Sequence, residues 1–222
     1  MSGDELRRLS ERLLACARQL APLGLSSGTS GNLSARVDAQ SFLITPSAAA
    51  YAALGPADLV VLALDGTTLS GARTPSSEWR MHADLYRARP ELSGVVHAHP
   101  PHATALACAR RPVPALHYEI ARFGGPEVRC ADYATFGTEA LSQAVLAAME
   151  GRRGCLLANH GLLTAADTVE EALSLAVELE NLAALVVRVA ALGGGVLLDD
   201  AEIERVRQRF ERYVRGERLD EA

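Results

Sequence analysis

Leu59-Val60-Val61-Leu62-Ala63-Leu64-Asp65-Gly66-Thr67-Thr68-Leu69 is the stretch that decides the fold. Two apolar runs, Leu59–Leu64 and Thr67–Leu69, flank Asp65-Gly66, a pair that tolerates positive φ and so closes a hairpin. A hairpin makes its two strands antiparallel. Working outward, short strands are expected at Leu33–Val37 and Phe42–Thr45 upstream, and at Val95–His99, Val128–Ala131, Cys155–Asn159 and Leu162–Ala165 downstream. Helices are expected at both ends. Leu6, Leu9, Leu13, Ala17 and Leu20 recur at steps of three and four, which predicts a helix from Asp4 to about Leu20. Others are expected from Pro75-Ser76-Ser77-Glu78 to about Arg89, at His102–Ala109, Thr138–Met149 and Val169–Leu192, and over roughly Asp200–Val214. The Pro75-Ser76-Ser77-Glu78 segment reads as a helix start with hydroxyl caps and an acid in its first turn. The pattern is that of an α/β protein with a largely antiparallel central sheet. With no long linker and no internal repeat, residues 1–222 read as a single domain.

Composition narrows the chemistry. The 222 residues carry 22 Lys+Arg and 27 Asp+Glu, a net charge of −5, with 49% apolar and 22% charged residues. That is an ordinary globular balance. No basic stripe marks a nucleic-acid partner. The longest uncharged run, Ala39–Ala57, is broken by Pro46, Gly55 and Pro56 and does not read as a membrane span. All 22 cationic side chains are arginine. Without lysine the chain cannot form a Schiff base with a carbonyl substrate or with pyridoxal phosphate, and it cannot build a lysine-bearing phosphate loop. Cys16, Cys108, Cys130 and Cys155 form no Cys-x-x-Cys pair, which argues against a cysteine zinc site. Asp4, Glu5, Arg7 and Arg8 do not read as a signal peptide, and the simplest location is the cytoplasm with reduced thiols.

Four features carry potential chemistry. His97-Ala98-His99 lies on an expected strand, where residues two apart share a side, so its imidazoles suit a divalent metal. Alone, such a pair is more often incidental than ligating. His160, in the turn Asn159-His160-Gly161, would complete a three-histidine site with an open fourth position, the pattern of catalytic zinc. Spacing alone does not choose between His160 and His117 as the third ligand. Ser76-Ser77-Glu78 offers N–H and hydroxyl donors for an anion, with Glu78 placed to act as a base; a simply capped helix explains the same residues. Gly28-Thr29-Ser30-Gly31-Asn32 is a small-residue loop able to cradle phosphate oxygens, though ordinary turns look alike. His117-Tyr118-Glu119 places a tyrosine where it can serve as an acid, or merely pack.

Together these motifs resemble the class II aldolase family. From about Leu6 to Tyr213 the markers occur in the family's order: Gly28-Thr29-Ser30-Gly31-Asn32, Ile44-Thr45-Pro46-Ser47, Pro75-Ser76-Ser77-Glu78-Trp79-Arg80, Val96-His97-Ala98-His99, His117-Tyr118, Tyr133-Ala134-Thr135-Phe136-Gly137-Thr138 and Asn159-His160-Gly161-Leu162. The resemblance implies a three-layer α/β/α sandwich assembled as a homotetramer, with active sites at the subunit interfaces. It implies one Zn²⁺ per subunit on His97, His99 and His160, and Glu78 as catalytic acid/base. Thr29, Asn32, Ser47, Ser76 and Ser77 fall where the family binds substrate phosphate, and Phe136 where it lines the aldehyde pocket. Tyr118 matches a catalytic tyrosine supplied to an adjacent subunit; Tyr213 matches a second.

Glu78 and its Ser-Ser-Glu-Trp-Arg context favour the aldolase branch over the epimerase branch. The implied reaction is reversible cleavage of a ketose 1-phosphate, L-fuculose 1-phosphate or similar, to dihydroxyacetone phosphate and a small aldehyde. Its enediolate intermediate needs charge stabilisation, and zinc supplies as a Lewis acid what lysine supplies elsewhere. Other branches with the same metal site are 4-epimerases, methylthioribulose-phosphate dehydratases and sugar-acid-phosphate decarboxylases. Adducin head domains share the fold without catalysis. One departure stands out: Ala48 occupies a position that is usually glycine in the aldolases. If its backbone needs positive φ, the Cβ costs about 1 kcal/mol or more.

Overall fold

The computed structural model describes residues 2–217, so the single domain expected over 1–222 extends at both ends beyond the described residues. Its helices are α1 (Gly3–Gln19), α2 (Trp79–Ala88), α3 (Pro101–Cys108), α4 (Glu139–Ala148), α5 (Val169–Ala191) and α6 (Asp200–Val214). Its strands are β1 (Asn32–Arg36), β2 (Ser41–Ile44), β3 (Val60–Ala63), β4 (Thr68–Ser70), β5 (Gly94–Ala98), β6 (Val113–Pro114), β7 (Glu127–Val128), β8 (Cys130–Ala131), β9 (Gly154–Leu157) and β10 (Gly161–Ala166). Short 3₁₀ segments lie at Tyr51–Ala53, Pro56–Asp58 and Tyr118–Phe123. Eight strands form one sheet in the order β4-β3-β2-β1-β5-β10-β9-β8, while β6 and β7 pair apart. Every ladder of the large sheet is antiparallel except β8 beside β9. The largely antiparallel α/β expectation holds.

Period-two alternation gives the sheet two buried faces. On β5, Val95 packs with one apolar cluster while Val96 and Ala98 pack with the other. On β2, Phe42 and Ile44 join the first and Leu43 the second. Met81 and Leu85 of α2 and Leu141 and Val145 of α4 cover the first face. Leu13 and Ala17 of α1, Ala103 and Ala107 of α3, and Leu175, Ala176 and Leu179 of α5 cover the second. The result is a helix–sheet–helix sandwich. Thr138, Thr168 and Asp199 accept hydrogen bonds from the N–H groups of Leu141, Glu171 and Glu202, which fixes the starts of α4, α5 and α6. Such caps contribute about 1 kcal/mol each.

Three local expectations are corrected. The Asp65-Gly66 hairpin exists, but its strands end at Ala63 and resume at Thr68, with a register shift between Val61 and Leu62. The Val128–Ala131 strand is two strands in two sheets: the chain changes ladder at Arg129, whose carbonyl accepts from the Leu156 N–H. The helix after Pro75 begins at Trp79, with Glu78 at the cap position and no side-chain cap hydrogen bond. The Ser76 hydroxyl accepts from the Glu78 N–H at 3.3 Å, and the Ser76 N–H donates to the Thr45 carbonyl at 3.1 Å.

Gly94 shows how tightly the central strand meets α5. A Cβ there would lie 2.3 Å from the Val169 nitrogen and 2.4 Å from its Cα, both backbone atoms. Gly94→Ala should therefore lower unfolding free energy by about 3 kcal/mol, read from the midpoint of urea denaturation.

Candidate active site

The site forms at one end of the sheet, where β1 begins, β5 ends, β9 turns into β10 and α2 starts. Asn32 and His97 face each other directly across the β1–β5 ladder. The β9–β10 turn carries His160, preceded by Asn159 at φ 54, a conformation that asparagine tolerates better than most residues. The loop before β1 crosses close over β5 at Gly31, where φ is 85 and a Cβ would meet the His97 carbonyl oxygen at 2.7 Å. Only glycine lets the loop approach this closely.

His97, His99 and His160 come together as the metal-site expectation requires. One nitrogen from each lies within 4.8 Å of the others. Their ring centroids are 4.7, 4.7 and 4.9 Å apart. His97 Nδ1–H donates to the Leu162 carbonyl at 2.8 Å, which turns its Nε2 lone pair inward, 2.9 Å from His99 Nε2. Burial first, and then the neighbouring imidazoles, lower the His99 and His160 pKa values to about 4. Both rings are therefore neutral at pH 7, the form that binds metals. His117, the alternative third ligand, lies instead at the start of the 3₁₀ turn Tyr118–Phe123.

Glu78 is buried beside this cluster. Its Oε2 is 3.3 Å from His97 Nε2 and its Oε1 is 3.5 Å from His160 Nε2. Burial pushes its pKa up, but His97, His160 and the Asn32 amide outweigh that and hold it below the usual carboxylate range. Oε1 is a buried oxygen with no hydrogen-bond partner. Three inward imidazole nitrogens with an orphaned carboxylate oxygen are a donor set that fits a divalent cation.

Asn32 does more than expected. Its amide Nδ2 donates to Glu78 Oε2 at 3.0 Å, and its Oδ1 meets His82 Nε2 at 2.6 Å. His82 Nδ1 is 2.7 Å from Ser34 Oγ, which is 2.8 Å from the Tyr86 hydroxyl. The sequence reading missed His82, Ser34 and Tyr86. The available signal was spacing: Glu78, His82 and Tyr86 recur every four residues on one helix, and Asn32 and Ser34 are two apart on one strand.

Above the histidines opens a cavity of about 230 Å³ lined by Thr29, Asn32, Ser47, Ser76, Ser77 and Phe136, together with Glu78, His99 and His160. Every residue expected at the phosphate is thus brought to one place. The Pro46–Pro75 bridge holds the Ser47 and Ser76 segments together. Ala48 also lines the cavity and has φ 50. Tyr118 and Tyr213 do not line it. They are 46% and 69% exposed and lie where α6 packs against the Tyr118–Phe123 turn, with the Tyr118 ring stacked 6.1 Å from Phe210.

The family described as Class II Aldolase and Adducin N-terminal domain matches residues 11–187. The chain belongs to the class II aldolase family. It is 46% identical over 213 residues to a 5-methylthioribulose-1-phosphate/5-deoxyribulose-1-phosphate aldolase of Rhodospirillum rubrum, covering 96% of this chain and 95% of that protein. It is 39% identical over 218 residues to an L-fuculose phosphate aldolase of Escherichia coli, covering 98% and 100%. A solved L-fuculose 1-phosphate aldolase superposes with a TM-score of 0.89 at 39% identity, covering 95% of this chain and 98% of that one. This class II aldolase is an enzyme of the lyase type, from a metal-dependent family, and its histidine cluster could hold the metal. No helix among the described residues is long and apolar enough to cross a membrane.

Two outcomes follow. Ala48→Gly should raise unfolding free energy by about 0.5 kcal/mol, the relieved strain exceeding the entropy that glycine adds to the unfolded chain; urea denaturation reads it. His82 is lowered to about 3 by burial, and His99 and His160 to about 4, against 6.5 for an ordinary histidine. The unfolded chain then binds more protons than the native one as acidity rises. Stability of the metal-free protein should be full above about pH 6.5 and fall as pH drops towards 4 and then 3, measured by urea denaturation across that range.

Proposed function

We propose that this protein is a zinc-dependent aldolase that reversibly cleaves a ketose 1-phosphate to dihydroxyacetone phosphate and a small aldehyde. The observation that carries the reading is the buried Glu78 carboxylate beside the His97, His99 and His160 nitrogens, on the floor of a cavity rimmed by Thr29, Ser47, Ser76 and Ser77. A Zn²⁺ held by the three histidines supplies Lewis acidity for the charge that develops on the substrate's carbonyl side. The hydroxyls of Thr29, Ser47, Ser76 and Ser77, with Asn32, hold the phosphate and so fix the reacting carbons over Glu78.

In the direction of synthesis, Glu78 takes the proton from the carbon of dihydroxyacetone phosphate that becomes nucleophilic. That carbon's electron pair forms the new bond to the aldehyde carbon, and the aldehyde oxygen becomes an alkoxide. Tyr118 of the partner subunit donates the proton that neutralises it. The charge of Glu119, beside Tyr118, raises the phenol pKa. Tyr213 shares that surface and enters the same neighbouring site, while Phe136 walls the aldehyde end. Cleavage runs the same steps backwards.

We read the whole chain, residues 1–222, as one such domain, assembled as a homotetramer with sites between subunits. The exposed Tyr118, Tyr213 and Val214 support a subunit contact. A cytoplasmic location agrees with four free cysteines. L-Fuculose 1-phosphate is one substrate reading. A second is a 5-deoxy- or 5-methylthio-ribulose 1-phosphate, favoured by 46% identity to an aldolase named for those sugars.

Release of dihydroxyacetone phosphate from all three compounds, with and without a chelator, tests this. Metal-dependent release from at least one is expected, and its absence with all three from zinc-loaded protein overturns the reading. Glu78→Gln should bind metal and phosphate yet lose turnover by about 10²–10⁴-fold.

A further inference from the structure

The core beneath α2 holds an unusual group of polar side chains. Ser34 and His82 are fully buried, and Asn32 and Glu78 nearly so, with the Tyr86 ring buried beside them. Their hydrogen bonds run in series from the Tyr86 hydroxyl through Ser34, His82 and Asn32 to Glu78 Oε2, over distances of 2.8, 2.7, 2.6 and 3.0 Å, and His97 Nε2 lies 3.3 Å from that same oxygen.

The polarity of this chain is forced from its acidic end. An ionised carboxylate only accepts, so the Asn32 group facing Glu78 is the amide nitrogen. Its Oδ1 then faces His82 and needs a donor, which places the proton on Nε2. In a neutral imidazole this leaves Nδ1 as an acceptor, so the Ser34 hydroxyl donates to it. Ser34 has then spent its hydrogen, and the Tyr86 hydroxyl donates to Ser34 Oγ. All four bonds point the same way, towards the carboxylate, and each polarises the next. Reversing any one would put two acceptors or two donors face to face in the core.

We propose that His82, Ser34 and Tyr86 are positioning residues for catalysis: through Asn32 they pin Oε2 of Glu78 and leave Oε1 as the oxygen that exchanges the proton with substrate. The inference rests on the reading of Glu78 as the base. Oε1 is the carboxylate oxygen that lacks a partner, and Glu78 reaches the substrate cavity. A proton placed on Oε2 would confront the Asn32 amide, and the amide could turn only if His82 changed tautomer and Ser34 and Tyr86 rotated with it. Filling this layer does not by itself call for such a chain. Apolar side chains of similar volume would fill the layer beneath α2 without any of these constraints.

The test compares three variants of the full-length, metal-loaded enzyme. His82→Leu keeps volume and removes the donor to Asn32. It should lower kcat by about 10–100-fold, the range seen when a partner of an active-site group is lost. KM should stay within about threefold and metal content should not change, since substrate binding is not what is removed. His82→Gln, whose side-chain amide can donate to Asn32 Oδ1, should restore most of kcat. Tyr86→Phe should lose least, because Ser34 still donates to His82. A purely structural role predicts instead that kcat follows thermal stability, with Leu and Gln variants falling together; that pattern, or a His82→Leu kcat within about threefold of wild type, overturns the proposal. Solid-state ¹⁵N NMR of histidine-labelled wild type, with His82 assigned by its loss in the Gln variant, gives a readout besides activity. Protonated Nε2 with bare Nδ1 is expected, and the opposite tautomer overturns the proposal even if the variants fold poorly. A wild type inactive on every ketose 1-phosphate would overturn the aldolase reading instead, so the two failures are distinguishable.

Discussion

Asn32, Ser34, His82 and Glu78 are buried under α2 only because each hydrogen-bonds to the next. An unpaired polar group here would cost about 1–3 kcal/mol, a large share of a domain's net stability. The apolar pairs around them, such as Phe42 against Tyr86 at 5.5 Å, tolerate small slippage. Hydrogen bonds between fixed partners do not. The chain therefore sets both the rotation and the axial position of α2 over β1. Because Asn32 stands opposite His97 in the ladder, the same constraint fixes Glu78 against the histidines. Core specificity and site geometry are one set of contacts.

Sheet order does the remaining assembly. An antiparallel arrangement with β5 between β1 and β10 brings the end of β5, the start of β1 and the β9–β10 turn to the same edge. Residues from positions 32, 97 and 160 can meet there without any long loop. Gly31 and Asn159 supply the two left-handed turns that the approach needs, at φ 85 and φ 54. Ala48 takes a third such conformation without a side chain suited to it, which marks the cavity rim as a place where strain is carried next to a binding surface.

Much of the fold was legible because its signals are local. Asp65-Gly66 announces a hairpin by backbone preference alone, and α6 runs over the expected Asp200–Val214. What failed depended on distant partners. Pro75-Ser76-Ser77-Glu78 reads as the first turn of a helix, but Ser76 is tied to Thr45, far away in sequence, and the helix begins only at Trp79. Val128–Ala131 reads as one apolar strand, and only the two sheets on either side of Arg129 divide it. The choice of His160 over His117 could not come from spacing, since it depends on which turn reaches the end of β5. The polar chain was hidden for another reason: a histidine and a tyrosine at helical spacing are ordinary core residues unless the strand opposite also carries polar groups in register.

Charge explains why the three histidines beside Glu78 suit a cation. His99 and His160 are neutral at pH 7, while Glu78 is ionised, buried and short of one hydrogen bond. A buried carboxylate is costly to keep ionised, and no arginine lines the cavity among the described residues. A phosphate at the rim would add further negative charge, met there only by hydroxyls, backbone and an amide. In the proposed enzyme a cation on His97, His99 and His160 would supply positive charge for both the carboxylate and the substrate. A chain rich in arginine but without lysine has kept its cationic side chains out of this cavity, which leaves the charge balance of the reaction to the metal. Neutral hydroxyl and amide donors can orient a phosphate without the charge of a fixed arginine pair.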